Sequence, residues 1–124
     1  MIEFDSVTKT YGDTRAVNAV SFTVPARSTT VLVGSSGSGK TTLLGMVNRM
    51  IEPTAGRILI DGEDVAGVNP VKLRRSIGYV MQSGGLLPHR TILDNICVVP
   101  LLNGTTKADA RRRGTVSYTH LTLP

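Results

Sequence analysis

The chain of 124 residues has no tryptophan, a single cysteine and only 4% aromatic residues. With so few rings, and none interleaved among the basic residues, a base-stacking nucleic-acid surface is not expected. Cys97 has no partner for an internal disulfide, and its neighbours Ile96, Val98 and Val99 predict a buried apolar side chain in a reducing compartment. No stretch approaches the ~18 uninterrupted apolar residues of a spanning helix. The opening MIEFDSVTK also lacks the apolar segment of a secretory leader. Charge of one sign is scarce as well. The formal net charge is +5, yet the first 110 residues hold 11 of the 14 Lys and Arg against all 9 Asp and Glu. The excess comes from Arg111, Arg112 and Arg113 near the end, so there is no broad basic patch to meet a polyanion.

What is present reads as one α/β domain with a modest core, 40% of the residues being hydrophobic and 19% charged. Ile2, Phe4 and Val7, then Val20, Phe22 and Val24, alternate with polar residues and predict two strands separated by a turn at Gly12 and Asp13. The β-branched run 29–33 has the pattern of a parallel strand buried on both faces. A helix is expected from Lys40, with Leu43, Leu44, Val47, Met50 and Ile51 on one stripe and Pro53 as its stop. Further strands are expected over 56–60 and 77–81, the first closed by a turn at Asp61 and Gly62. Short helices are expected over 70–75 behind Asn69, over 91–96 capped by Thr91, and from Thr106 to about Arg113.

The strongest chemical signal is the octapeptide Gly34, Ser35, Ser36, Gly37, Ser38, Gly39, Lys40, Thr41, in which two glycines bracket four residues ahead of Lys and Thr. Glycines there let consecutive N–H groups converge on one anion, and the following helix adds its positive end. Lys40 is placed to neutralise the outer phosphates of a nucleotide, the Thr41 hydroxyl to ligate Mg2+, and Thr42 to extend the cradle. Chance supplies such an octapeptide in about one chain in 250 of this length. A strand-like segment before it and an amphipathic one behind it make the arrangement specific.

With that loop in place, the chain from Met1 to about Arg113 resembles the nucleotide-binding subunit of ABC transporters. The resemblance implies a P-loop α/β fold with an amino-terminal antiparallel β subdomain, and ATP and Mg2+ as cofactors. Tyr11 in TKTYGDTRAV matches the family's adenine-stacking aromatic residue. Gln82, at the end of IGYVMQ, matches the glutamine that contacts the magnesium and the attacking water and couples the site to the membrane domains. VNRMIEPTAGRILIDGEDV and GLLPHRTILDNICVVPLL are similar to the importers for glycine betaine, choline or proline. The partners so implied are membrane permease subunits, a second ATPase subunit and, indirectly, a substrate-binding protein, with the chain at the cytoplasmic face of the cell membrane. His89 and His120 match no catalytic position and are expected at the surface.

The family pattern continues with a helical subdomain carrying an LSGGQ-type signature, a strand ending in Asp and a catalytic Glu, and a histidine. None of these lies within the 124 residues, so the resemblance implies an amino-terminal part of the domain, with ATP binding and little turnover of its own. After Arg113 the apolar periodicity is lost: Gly114, Thr115 and Thr119 interrupt it. Residues 114–124, ending VSYTHLTLP, resemble translated sequencing adapter and are expected not to be genuine protein sequence.

Overall fold

A computed structural model describes residues 1–121, the last two by backbone alone. It divides into two compact units, Met1–Ile77 and Gly78–Pro124.

The first unit is built on two long strands, β1 (Ile2–Tyr11) and β2 (Thr14–Val24), joined at Gly12 and Asp13 as expected. They form an antiparallel four-stranded sheet with β3 (Ala55–Ile60) and β4 (Glu63–Asp64), in the order β2-β1-β3-β4. Alternation, together with a register shift between Phe4 and Val7 at which Ser6 takes a positive φ of 51°, brings Phe4, Val7, Val17 and Ile58 into one buried cluster with Leu43 and Met46 of α1 (Lys40–Val47) and Leu73 of α2 (Pro70–Ser76). Phe4 and Phe22, opposite each other in the register, stack at 4.4 Å between ring centroids. Asn69 caps α2 by accepting from the amides of Val71 and Lys72, which leaves Pro70 at a position where its missing N–H costs nothing.

Three expectations need correction here. The run 29–33 lies outside the sheet, with Val31 75% and Val33 91% exposed. The run 77–81 is likewise not a strand, and Val80 is 95% exposed. A parallel strand holds its shape when neighbours cover both flanks and both faces, and no parallel pair occurs among the described residues. The helix after Lys40 stops at Val47, well before Pro53: Asn48 ends it and Arg49 takes a positive φ of 57°. Its buried face is Leu43, Gly45 and Met46, while Leu44 and Met50 are exposed. The guanidinium of Arg74 donates to the carbonyls of Asn48 and Arg49, so a side chain from beyond the helix satisfies the turn that closes it, while the guanidinium of Arg49 reaches away to the carbonyl of Val68.

The second unit contains α3 (Ile92–Leu102) and α4 (Lys107–Leu121). Thr91 caps α3 through the amide of Asp94, as expected, but the helix runs past Ile96 and includes Pro100 in its last turns. There the ring removes a single backbone bond near an end already short of partners. α4 continues through Gly114 rather than breaking at it. The reason is steric: Gly114 is buried against α3, where an added Cβ would sit 2.9 Å from Leu93 Cδ1 and 3.4 Å from Cys97 Sγ. Packing between helices thus overrides a poor intrinsic propensity. Cys97 is buried, as expected, and Arg111 pairs with Asp94 at 3.2 Å across the two helices. The side chain of His120 lies outside the described residues. No helix among them is long and apolar enough to cross a membrane.

Candidate functional site

The loop of residues 34–41 leads directly into α1. Gly39 begins the helix at φ 88°, in the left-handed region, and packs so tightly on β2 that an added Cβ would lie 2.3 Å from the Ala16 carbonyl oxygen. No other residue type satisfies both conditions. The Leu43 amide then donates to the Gly39 carbonyl at 2.9 Å, the first bond of the helix. The amides ahead of it have no helical acceptor and face the loop with the positive end of the helix behind them.

Lys40 sits inside this curl. Its Nζ donates to the carbonyls of Gly34 and Ser35, both at 2.7 Å, and to Ser38 Oγ at 2.8 Å. The Ser38 amide closes the curl on the Ser35 carbonyl at 3.2 Å. The half-buried Lys40 side chain is therefore held by three oxygens of an exposed loop. Thr41 is exposed on the first turn of α1, and Thr42 is half-buried beside it. Ser38, Gly39 and Lys40 also form the polar end of a cleft of about 410 Å³, whose apolar side includes Val17, Val20 and Leu43.

Of the residues anticipated from sequence, 34–42 are brought together as one loop and helix start. Tyr11 belongs to the same unit, at the end of β1, half-exposed and outside the lining of that cleft. Gln82 lies exposed in a bend of the second unit, and His89 in an exposed turn beyond it. Sequence reasoning missed Asn95. Its side-chain oxygen accepts from the Leu87 amide at 2.7 Å, and its Nδ2 donates to the carbonyls of Leu87, Arg90 and Thr91 at 3.2, 3.3 and 2.9 Å. One carboxamide therefore holds the whole turn after Gln82. The available signal was an asparagine that follows Asp94 and precedes the apolar run ICVV.

Loop, following helix and antiparallel subdomain together define a P-loop α/β nucleotide-binding domain of the ATP-binding-cassette type. The chain belongs to the ABC transporter family, whose family model matches residues 17–122. It is 50% identical over 103 residues to the carnitine transport ATP-binding protein OpuCA of Listeria monocytogenes, covering 82% of this chain and 26% of that protein. The choline transport ATP-binding protein OpuBA of Bacillus subtilis is also 50% identical over 103 residues, at 82% and 27% coverage. Among solved structures, the dimeric post-hydrolysis state of the ATP-binding cassette MJ0796 bound to ADP and Pi superimposes with a TM-score of 0.85 at 26% identity, over 100% of this chain and 58% of that one. The chain thus spans about a quarter of the length of these curated relatives.

Proposed function

We propose that the chain supplies the ATP-binding half-site of an ABC importer ATPase that couples ATP hydrolysis to uptake of a quaternary-amine osmoprotectant such as glycine betaine. The observation that carries the phosphate-binding part is the Lys40 ammonium held by three loop oxygens directly ahead of α1. The osmoprotectant part is supported by the carnitine and choline transport proteins among its relatives.

In this reading residues 34–39 present backbone amides to the β- and γ-phosphates, Lys40 neutralises their charge, and Thr41, flanked by Thr42, offers a hydroxyl to Mg2+. The donor set fits that ion: a hydroxyl beside phosphate oxygens is hard oxygen chemistry, and no cluster of three His, Cys, Asp or Glu side chains competes for a metal among the described residues. When bound, Mg2+ would be held by the Thr41 hydroxyl and would offset the phosphate charge. Tyr11 would stack on the adenine, and Gln82 would contact the magnesium and the water. The assembly includes membrane permease subunits, a second ATPase subunit and a substrate-binding protein, at the cytoplasmic face of the membrane. By itself the chain binds Mg-ATP without appreciable turnover, because phosphoryl transfer requires the nucleophile to be positioned as well as the charge neutralised. Residues 1–113 carry this role. The assignment of 114–124 as foreign sequence is tested by re-sequencing across codon 113, and confirmation of those codons rejects it.

Thermal unfolding of the purified chain with and without Mg-ATP tests the binding step, since a ligand that binds only the folded form raises the midpoint. The expected result is an upward shift in the parent chain and none in Lys40→Ala. Equal shifts in the two, or ATP hydrolysis by the parent that Lys40→Ala abolishes, would contradict this account.

A further inference from the structure

Tyr11 ends β1 half-exposed, and one face of its ring is already occupied. Lys9, two residues back along the strand, places its Nζ 5.0 Å from the ring centroid. The same ammonium donates to the Glu52 carbonyl at 2.7 Å. Two more bonds join this stretch of β1 to the turn before β3: the Thr54 amide donates to the Thr8 carbonyl at 2.8 Å, and the Thr10 amide to Thr54 Oγ1 at 3.1 Å. A lysine on a strand surface ordinarily samples many rotamers. Here both ends of its reach are fixed.

We propose that Lys9 is a positioning and specificity-determining residue for the nucleotide base. Pinned between the Glu52 carbonyl and the phenol ring, it holds Tyr11 in place and closes one face, which leaves a single face for stacking. Its charge draws electron density from the ring, and a ring so polarised is a better partner for an electron-rich purine on its open side. The inference rests on the reading of Tyr11 as the base platform and adds to it the group that makes the platform rigid and one-sided.

The test uses the full chain and two probes, Mg-ATP and inorganic Mg-tripolyphosphate, each titrated calorimetrically. The second has the phosphates and no base. Lys9→Met is expected to weaken ATP about 2- to 5-fold, the range of an exposed cation–π contact, with tripolyphosphate unchanged. Lys9→Arg, which keeps both the cation and the donor, is expected to restore ATP to within about 2-fold of the parent. Tyr11→Ala is expected to weaken ATP by about 5-fold or more and to spare tripolyphosphate. Equal losses for both probes in Lys9→Met would show a general charge effect and overturn the proposal, as would no loss for either. If Tyr11→Ala leaves the ratio of the two affinities unchanged, the reading of Tyr11 falls and the role of Lys9 with it. If the Tyr11→Ala ratio changes and the Lys9→Met ratio does not, the role of Lys9 alone is wrong. A parent chain that takes up neither probe overturns both.

Discussion

The unit Met1–Ile77 and the unit Gly78–Pro124 are stabilised in different ways. In the first, a sheet face and two helices share one apolar cluster in which Val7, Met46 and Ile58 are almost wholly removed from water. In the second, two helices meet at small residues, Cys97, Ala110 and Gly114, and larger apolar side chains such as Val80, Leu86 and Ile92 remain exposed. Close packing stabilises the first; in the second, the Thr91 cap and the Asn95 clamp fix the start of α3 and the turn before it. A volume change should therefore damage the first unit most.

The largest expected effect lies where the functional loop meets the sheet. Gly39→Ala combines a left-handed backbone with a Cβ driven onto the Ala16 carbonyl, and should destabilise the first unit by roughly 3 kcal/mol or more, read from the denaturant midpoint. A midpoint within the error of the parent would show that loop and strand separate freely. Met46→Ala, at a position with no exposure, should cost about 2–5 kcal/mol by the same measurement. In the second unit Gly114→Leu tests whether close approach of the helices matters. Its side chain has to displace Leu93 and Ile96, so a loss of about 1–3 kcal/mol is expected despite better helix propensity, with reduced amide protection along α4. Unchanged protection would mean that α4 does not depend on α3. Asn69→Ala removes the acceptor for two amides and should lower stability by about 1 kcal/mol.

The smallest effect is electrostatic and confined to the second unit. The Thr91 side chain bonded to Asp94 holds its carboxyl below the ordinary 3.8, against a modest upward push from desolvation, with the guanidiniums of Arg111 and Arg90 adding to the depression. A depressed carboxylate stabilises the folded form at pH above its unfolded value, and that contribution is lost as pH falls through its lower folded value. Acid titration below about pH 4 should therefore loosen α3 in the parent and change little further in Asp94→Asn, as monitored by helical circular dichroism. An identical acid response in the two chains would assign the loss to other carboxylates.

How much was legible in sequence follows the same division. Strands β1 and β2, their turn, the Asn69 and Thr91 caps and the loop around Lys40 were readable because each is written locally, by alternation, by a capping side chain or by glycine spacing. The runs 29–33 and 77–81 misled because the β-branched pattern states what a segment does when flanked, and says nothing about whether the flanks are there. The early stop of α1 was hidden for another reason. The carbonyls of Asn48 and Arg49, where the helix closes, are satisfied by Arg74, and no periodicity announces that a basic side chain will fold back on a helix end. Gly114 was read as a breaker because propensity was visible and the opposing surface of α3 was not. At the site, the loop could be read residue by residue, whereas the Lys9 contact with Tyr11 depends on the fold, which brings the Glu52 carbonyl within reach of the same ammonium.

The curl of the loop around its own lysine has a consequence for ligand choice. Because the Lys40 ammonium already holds three oxygens, an incoming anion does not add a contact to a bare cation; it must displace contacts already made. Exchange of this kind sets a threshold. A weakly basic or singly charged anion offers little more than the carbonyls it would replace, while a polyphosphate offers several oxygens and greater charge at once. On the proposed reading of the loop as a phosphate site, this exchange makes it a filter on charge density, which small singly charged anions pass poorly.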